Sequence, residues 1–325
     1  MASSPINWLG ARLLSTQDVT PDIRVFEIEP DASVPIPSPG SHIQVVVQID
    51  GRTETRSYST VGPCNDGRYR IAVKLLSDSR GGSAYMWALK PGARFTIAAA
   101  RNHFTLGRDS SFYLLLAGGI GITPIYSMAL ALLERGARFR VLYAARTARD
   151  LAFADDLHER LGDRLRRVTD ESGDKIDLEA EIAALPSDGE LYVCGPIGLL
   201  EAVKRIWRAS GRPIERLRFE TFGNSGAFAS EPFTVAIPRL GVTFEVPANQ
   251  TLLDALQANG VAMISDCRRG ECGLCVLPIL SADGPIDHRD VFFSDTEKAT
   301  GKKLCTCVSR VAGGTLTLDT GDRAG

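Results

Sequence analysis

No apolar run in the 325-residue chain approaches the ~18 residues a membrane-crossing helix needs, so the chain is not expected to span a membrane. Neither sign of charge dominates. The 37 basic and 39 acidic residues leave a net charge of -2, with no long block of either sign, which excludes the basic footprint of a nucleic-acid binder. The opening MASSPINWLG has neither a basic stretch leading into an apolar one nor an Arg/Ser-rich amphipathic segment, so a cytoplasmic location is expected. Histidine is scarce: there are four, and His103, His158 and His288 show no spacing for a non-haem iron triad, so oxygen activation by this chain is not expected. Cysteine is scarce as well, and odd in number at seven, which argues against a disulfide framework.

Five of those cysteines nevertheless stand within about the last 60 residues, and three fall in one polar loop, SDCRRGECGLC at 265–275. Cys267, Cys272 and Cys275 keep the C-x4-C-x2-C spacing of a plant-type 2Fe-2S loop, which needs a fourth cysteine well downstream. Structural zinc sites more often carry two close C-x2-C or Cys/His pairs, and here only one C-x2-C pair is present. Gly270 and Gly273 free the backbone to turn amides toward the sulfurs, while Arg268 and Arg269 offset the negative cluster. Both arginines are also expected to offer an acidic partner a docking surface. KLCTCVSR supplies Cys305 and Cys307 as candidates for the fourth ligand, and in a strand both would share one face.

Three regions surround these features. Residues 1–106 alternate apolar and polar in short runs such as HIQVVVQID and YRIAVKLL between turn clusters, as in an antiparallel barrel or sandwich. Residues 107–223 alternate apolar strands (FYLLLAGG, FRVLYAAR, ELYVCG, RLRFET) with helical stretches (PIYSMALALLERG, LAFADDLHERLG, GLLEAVKRIWRASG), the rhythm of an α/β parallel sheet. NSGAFASE at 224–231 reads as a linker. In 232–325, FTVAIPR and GVTFEVP form a hairpin and TLLDALQANG a short helix ended by Gly260.

Three further motifs suit phosphate chemistry. RSYST at 56–60 sets Arg56 and the hydroxyls of Ser57 and Ser59 in alternation, and SRGGS at 79–83 supplies glycines where backbone can close on a phosphate. An ordinary solvated barrel edge explains each as well. LLLAGGIGITPIYSM is a strand, a glycine turn through Gly118, Gly119 and Gly121, and a helix with Thr123 and Pro124 in its first turn, where amides and the helix dipole favour a pyrophosphate. A tight βα turn without a ligand uses the same glycines.

In this order, these motifs resemble the ferredoxin reductase superfamily, and with a plant-type ferredoxin segment at the C-terminal end the whole chain resembles the phthalate dioxygenase reductase family. The resemblance implies an antiparallel β-barrel that binds FMN, an α/β domain that binds NADH, and a C-terminal β-grasp ferredoxin domain with a 2Fe-2S cluster. Arg56 would meet the flavin phosphate, with Gly81, Gly82 and Ser83 capping it. Tyr58 would pack by the isoalloxazine, Ser59 would bond near N5, and Ala72, Val73 and Lys74 would line the ring edge. Cys194-Gly195-Pro196 corresponds to the nicotinamide segment, and Glu220-Thr221-Phe222 to the terminal segment whose aromatic covers the flavin. Ser59, Thr123, Cys194, Glu220 and Phe222 would form the slot in which hydride passes from nicotinamide C4 to N5, followed by single electrons to the cluster. Cys307-Val308-Ser309-Arg310 matches the reductase phrase around the last ligand, which favours Cys307 over Cys305.

The partner implied is an oxygenase, most often Rieske-type and acting on aromatic rings or as an O-demethylase. Arg146 could hold either the pyrophosphate or a 2′-phosphate, but Asp150 and the Asp155-Asp156 pair would repel the latter, so NADH is expected. DHRD at 287–290 is also shared with the family, and a solvated polar turn accounts for it. The rival readings are a flavin reductase or NADH oxidase serving small-molecule acceptors, and a zinc-clipped adaptor without catalysis.

Overall fold

The computed structural model describes residues 7–64, 66–76, 81–222, 228 and 230–321. Ser79 and Arg80 of the SRGGS motif, and most of the expected linker at 224–231, lie outside the described residues. The chain forms two compact units, Met1–Glu220 and Thr221–Gly325.

The first unit opens with β1 (Trp8–Thr20), β2 (Ile23–Pro30), β3 (Ser41–Ile49), β4 (Arg52–Ser59), β5 (Tyr69–Lys74), helix α1 (Gly82–Ala88) and β6 (Arg94–Asn102). Strand order is β4-β3-β6-β1-β2-β5, antiparallel throughout, and a bridge from Thr60 to Ile71 joins the two edges. That closure removes the exposed edges an open sheet would leave. Alternation puts Ile43, Val45, Val47 and Ile49 of β3 inward, and Met86 of α1 plugs the same core. Each such side chain, taken fully from water, contributes roughly 1.5–3 kcal/mol.

The rest of the unit is β7 (Tyr113–Gly118), α2 (Ile122–Glu134), β8 (Phe139–Ala145), α3 (Ala154–Leu161), β9 (Leu165–Thr169), α4 (Leu178–Ala183), β10 (Glu190–Cys194), α5 (Ile197–Ala209) and β11 (Leu217–Glu220). All five strands are parallel, in the order β11-β10-β7-β8-β9. Strand β7 is buried at every position, as a central strand covered on both faces must be, and α5 seats Leu200, Val203 and Trp207 on one stripe. The short polar strand β9 and helix α4 carry too little apolar pattern to stand out in the sequence. Because the chain progresses outward from β7 in one direction and returns to its other side with β10, the topological switch point lies between β7 and β10. Ligands of such sheets bind outside the carboxyl ends of the strands at that point. A cavity of about 750 Å3 lined by Phe112, Phe139 and Arg164 sits at the opposite edge, where strands begin.

The second unit holds β12 (Phe233–Ile237), β13 (Val242–Val246), α6 (Leu252–Ala258), β14 (Val276–Ala282), β15 (Ile286–Asp287), α7 (Asp295–Ala299), β16 (Lys303–Cys305), β17 (Arg310–Val311) and β18 (Thr315–Leu318). The sheet order β13-β12-β18-β14-β16, with β12 and β18 parallel and α6 packed on it, is a β-grasp. Thr251 caps α6 by accepting the Asp254 N–H at 3.0 Å, and Gly260 ends it with φ +77°. Among the described residues no helix is long and apolar enough to cross a membrane.

Candidate functional site

Strand β4 divides the RSYST residues between two faces. Arg56 and Tyr58 pair with Val45 and Ile43 and share their face, while Ser57 and Ser59 pair with Gln44 and His42 on the other. Tyr58 packs against the barrel core, and burial pushes its phenol pKa up. Arg56 crosses the start of α1, where a Cβ on Gly82 would stand 2.7 Å from its Nε. Its guanidinium is held by Glu54, a buried carboxylate 2.6 Å away. The predicted phosphate residues are therefore together, with Gly81, Gly82 and Ser83 at the same turn, and Ser83 Oγ accepts the Leu76 N–H. Glu54 went unrecognised because nothing in a lone strand glutamate signals burial.

The ring-edge residues separate. Ala72 and Lys74 lie on one face of β5, whereas the Val73 side chain is in the barrel core and its carbonyl accepts the Trp87 Nε1–H at 3.1 Å. Only the first two can present side chains outward. Lys74 pairs with Asp22 at 3.0 Å and reaches Asp150 at 3.8 Å, so it joins the barrel to the sheet domain.

At the switch point the two glycine turns interlock. A Cβ on Gly121 would lie 2.2 Å from the Cys194 carbonyl oxygen, and one on Gly118 2.7 Å from Pro196 Cδ. Gly119 and Gly195 complete these turns, and Thr123 Oγ donates to the Ile120 carbonyl at 3.0 Å, closing the first turn of α2 against Pro124. The same edge receives the barrel: Ser127 Oγ donates to the Thr60 carbonyl and accepts the Gly62 N–H, at 3.0 and 3.1 Å. Ser59 Oγ donates to Glu220 Oε2 at 3.4 Å, both residues being buried, which brings a barrel residue onto the end of β11. Arg146 is exposed just past β8, and Asp150 is turned back onto Thr147, accepting from its N–H and hydroxyl. Asp156 accepts the Tyr126 hydroxyl at 2.6 Å and Asp155 pairs with Arg167.

In the second unit Phe222 is half-buried, and Thr221 holds the cysteine loop, its N–H bonding Glu271 and its hydroxyl the Arg269 carbonyl. The sulfurs stand in two groups, Cys267 with Cys272 and Cys275 with both Cys305 and Cys307. Cys267 shares a hydrogen bond with Cys272 and accepts the N–H groups of Arg269 and Glu271 at 3.4 and 3.5 Å, while Cys275 Sγ is 3.2 Å from Cys307 Sγ. Hydrogen bonds from the Cys305 and Cys307 thiols hold Cys275 down to about 3, and Cys267 holds Cys272 down to about 6. The same bonds, with burial, push Cys267, Cys305 and Cys307 up. Among the described residues no three His, Cys, Asp or Glu side chains converge as a single-ion site would. Cys267 with Cys272, and Cys275 with either Cys305 or Cys307, suit a dinuclear cluster with two thiolates on each iron, so these residues fit a 2Fe-2S group.

Three expectations are corrected here. Strand β16 ends at Cys305 and residues 306–308 form a turn, so Cys305 and Cys307 do not alternate along one strand; the turn sets both beside Cys275, and Gly270 N–H serves Cys307. Arg269 is buried and ion-paired with Glu271 at 3.4 Å, so it does not offer its charge to a partner, whereas Arg268, at φ +52°, is half-buried and held by Asp254 and Gln257 of α6. DHRD is not solvated: Asp287, Arg289 and Asp290 are buried. Arg310 of the C-V-S-R phrase clamps the carbonyls of Glu231, Pro247 and Gln250 and lies over the Phe233 ring.

The sequence matches the oxidoreductase FAD-binding domain over residues 10–105, the oxidoreductase NAD-binding domain over 115–205 and the 2Fe-2S iron-sulfur cluster binding domain over 235–312. It is 39% identical to phenoxybenzoate dioxygenase subunit beta of Ectopseudomonas oleovorans over 86% of each chain. It is 34% identical to phthalate dioxygenase reductase of Burkholderia cepacia, over 96% of this chain and 97% of that one. The solved structure of phthalate dioxygenase reductase, described as a modular structure for electron transfer from pyridine nucleotides to [2Fe-2S], superposes with a TM-score of 0.79 at 33% identity, covering 96% of this chain and 98% of the other.

Proposed function

The chain belongs to the phthalate dioxygenase reductase family, and we propose on that basis that it is the NADH-dependent reductase of an oxygenase system, delivering single electrons to a Rieske-type aromatic-ring dioxygenase or O-demethylase. It is an oxidoreductase with flavin, NAD and 2Fe-2S domains. We divide it into an FMN domain at 1–106, an NAD domain at 107–223, a linker at 224–231 and a ferredoxin-like domain at 232–325, and place it in the cytoplasm.

Bound FMN supplies the chemistry that accepts a two-electron hydride and releases electrons singly, and the cluster supplies a one-electron site near roughly −400 mV. The chain's own residues bind and orient. Arg56, fixed by Glu54, and the turn at Gly81–Ser83 offer a phosphate one guanidinium and the backbone of the turn, with no second segment assigned to an adenylate. The turns at Gly118–Gly121 and Cys194–Pro196 form the pyrophosphate and nicotinamide floor at the switch point, with Arg146 at its rim. Ser59 and Glu220 hold a polar pair at its wall, Thr123 closes it, and Phe222 is assigned to the flavin cover. Asp150 and the Asp155-Asp156 pair disfavour a 2′-phosphate. Cys267, Cys272, Cys275 and Cys307 are assigned as ligands, Cys307 because it takes the Gly270 N–H and stands in the C-V-S-R phrase.

The observation that carries this reading is that one chain joins a switch-point crevice walled by a barrel residue, Ser59, to cysteines whose sulfurs stand in two groups. Purified protein should show flavin and iron–sulfur absorption, bleach on anaerobic NADH, and contain two irons and two sulfides per chain; a colourless zinc protein would overturn the reading. Turnover with NADH should be slow with oxygen alone and rise sharply with the oxygenase. Fast turnover without it would make this a flavin reductase or NADH oxidase.

Arg56→Ala should weaken FMN binding by about 10- to 100-fold, since a hydrogen-bonded charge contributes about 1.5–3 kcal/mol. It also strands the buried Glu54 carboxylate, so Arg56→Lys should recover part of the affinity. Fluorescence titration of stripped protein with FMN measures both, and unchanged affinity in the alanine variant would remove Arg56 from the phosphate site.

A further inference from the structure

The DHRD turn sits against the cysteine loop rather than in solvent. Gly270 has φ +75°, and a Cβ there would lie 2.8 Å from Asp290 Cα and 2.6 Å from Val308 Cγ2. The Gly270 carbonyl accepts the N–H groups of Val291 and Phe292, at 3.0 and 3.1 Å. Asp290 is fully buried, and its carboxylate accepts from Ser309 Oγ and the Phe293 N–H, both at 3.0 Å, with His288 Nδ1 at 3.4 Å. Ser309 Oγ in turn accepts the Arg289 N–H at 3.2 Å, and Lys298 Nζ bonds the Asp290 carbonyl. The neighbouring Arg289 pairs with Asp287 at 2.7 Å and holds Ser230 and the Phe228 carbonyl.

These contacts tie three stretches that are far apart in sequence: the ligand loop at Gly270, the turn itself, and Ser309 two residues after Cys307. Of the basic groups around Asp290, His288 faces the carboxylate and Lys298 bonds the Asp290 carbonyl and favours the charged carboxylate, while Arg289 pairs with Asp287, Arg269 with Glu271 and Arg268 with Asp254. We propose that Asp290 is a positioning residue of the iron–sulfur centre: its hydrogen bonds lock the ligand loop to the Cys307 segment, and its buried negative charge holds the cluster's reduction potential down. This rests on the four cysteines carrying a 2Fe-2S cluster. The sign follows from electrostatics, because a fixed anion behind the loop opposes addition of an electron, the more so in a medium that screens poorly. Hydrogen bonds, charge and burial are the protein's levers on such a potential.

The test compares Asp290→Asn with Ser309→Ala in the full-length flavin-loaded protein, by EPR-monitored redox titration and by iron release to a chelator. Asp290→Asn should keep the cluster signal and shift its midpoint to more positive potential. Ser309→Ala leaves the charge and removes one donor, so its midpoint should not move upward. Both should loosen iron retention, by about tenfold or more if these groups act as outer-shell partners do. Wild-type midpoint and release rate in Asp290→Asn would overturn the proposal. Should that variant yield no cluster-bearing protein, wild-type iron release from Ser309→Ala would overturn it instead, and faster release there would uphold the lock. Absence of a 2Fe-2S signal from the wild-type protein would overturn the cluster assignment, a result distinct from either.

Discussion

Cys307→Ala should empty the cluster site while NADH still reduces the flavin, so electron delivery to the oxygenase or another one-electron acceptor is lost. Removing only an outer-shell partner of a metal costs about 10- to 100-fold in affinity, and loss of a ligand should exceed that. Cys305 is the informative control, because it is also buried and also bonds Cys275. Cys305→Ala should keep two irons per chain and most of the electron delivery. Iron and sulfide analysis, with stopped-flow separation of flavin reduction from acceptor reduction, reads both variants. A full cluster in Cys307→Ala with loss in Cys305→Ala would reverse the ligand assignment.

The second large effect is at Gly121→Ala. This glycine has φ −61°, which alanine adopts freely, so space alone decides the outcome. The new Cβ would stand 2.2 Å from the Cys194 carbonyl oxygen and 2.9 Å from the Gly195 nitrogen, both backbone atoms. One of the two turns must then move. Overpacking costs typically about 1–3 kcal/mol, and a misplacement near 1 Å in a hydride-transfer site costs about 10²-fold in rate. Reduction of the flavin by NADH should fall by about that factor, whereas dithionite should reduce flavin and cluster as in wild type. Gly198→Ala is the matched control: it lies near the start of α5 with nothing within 4 Å of its new Cβ, and the rate should be unchanged. Equal rates in the two variants would show that the interlocked turns do not set the nicotinamide position.

The order of regions, the cysteine loop and both glycine turns were legible because each is local: spacing over a few residues dictates which backbone groups and sulfurs can meet. The α/β sheet and the β-grasp hairpin were legible for the same reason, since hydrophobic period is a near-neighbour property. Strand β9 and helix α4 were not, their burial being too slight to leave a pattern.

What required the tertiary structure is what depends on distant segments. Ser59 and Glu220 are 161 positions apart, and no periodicity connects them. DHRD and Arg269 read as polar surface because composition reports polarity, whereas folding bonds Asp290 to Ser309 and Arg269 to Glu271 and so makes the burial of these charges tolerable. Val73 and Glu54 turned inward through the pairing of strands β2 with β5 and β3 with β4, which a single strand cannot reveal. The sequence by itself determined which chemistry the chain can carry; the fold decided that both Cys305 and Cys307 come up beside Cys275, and which charges are structural, because those outcomes are contacts across the chain.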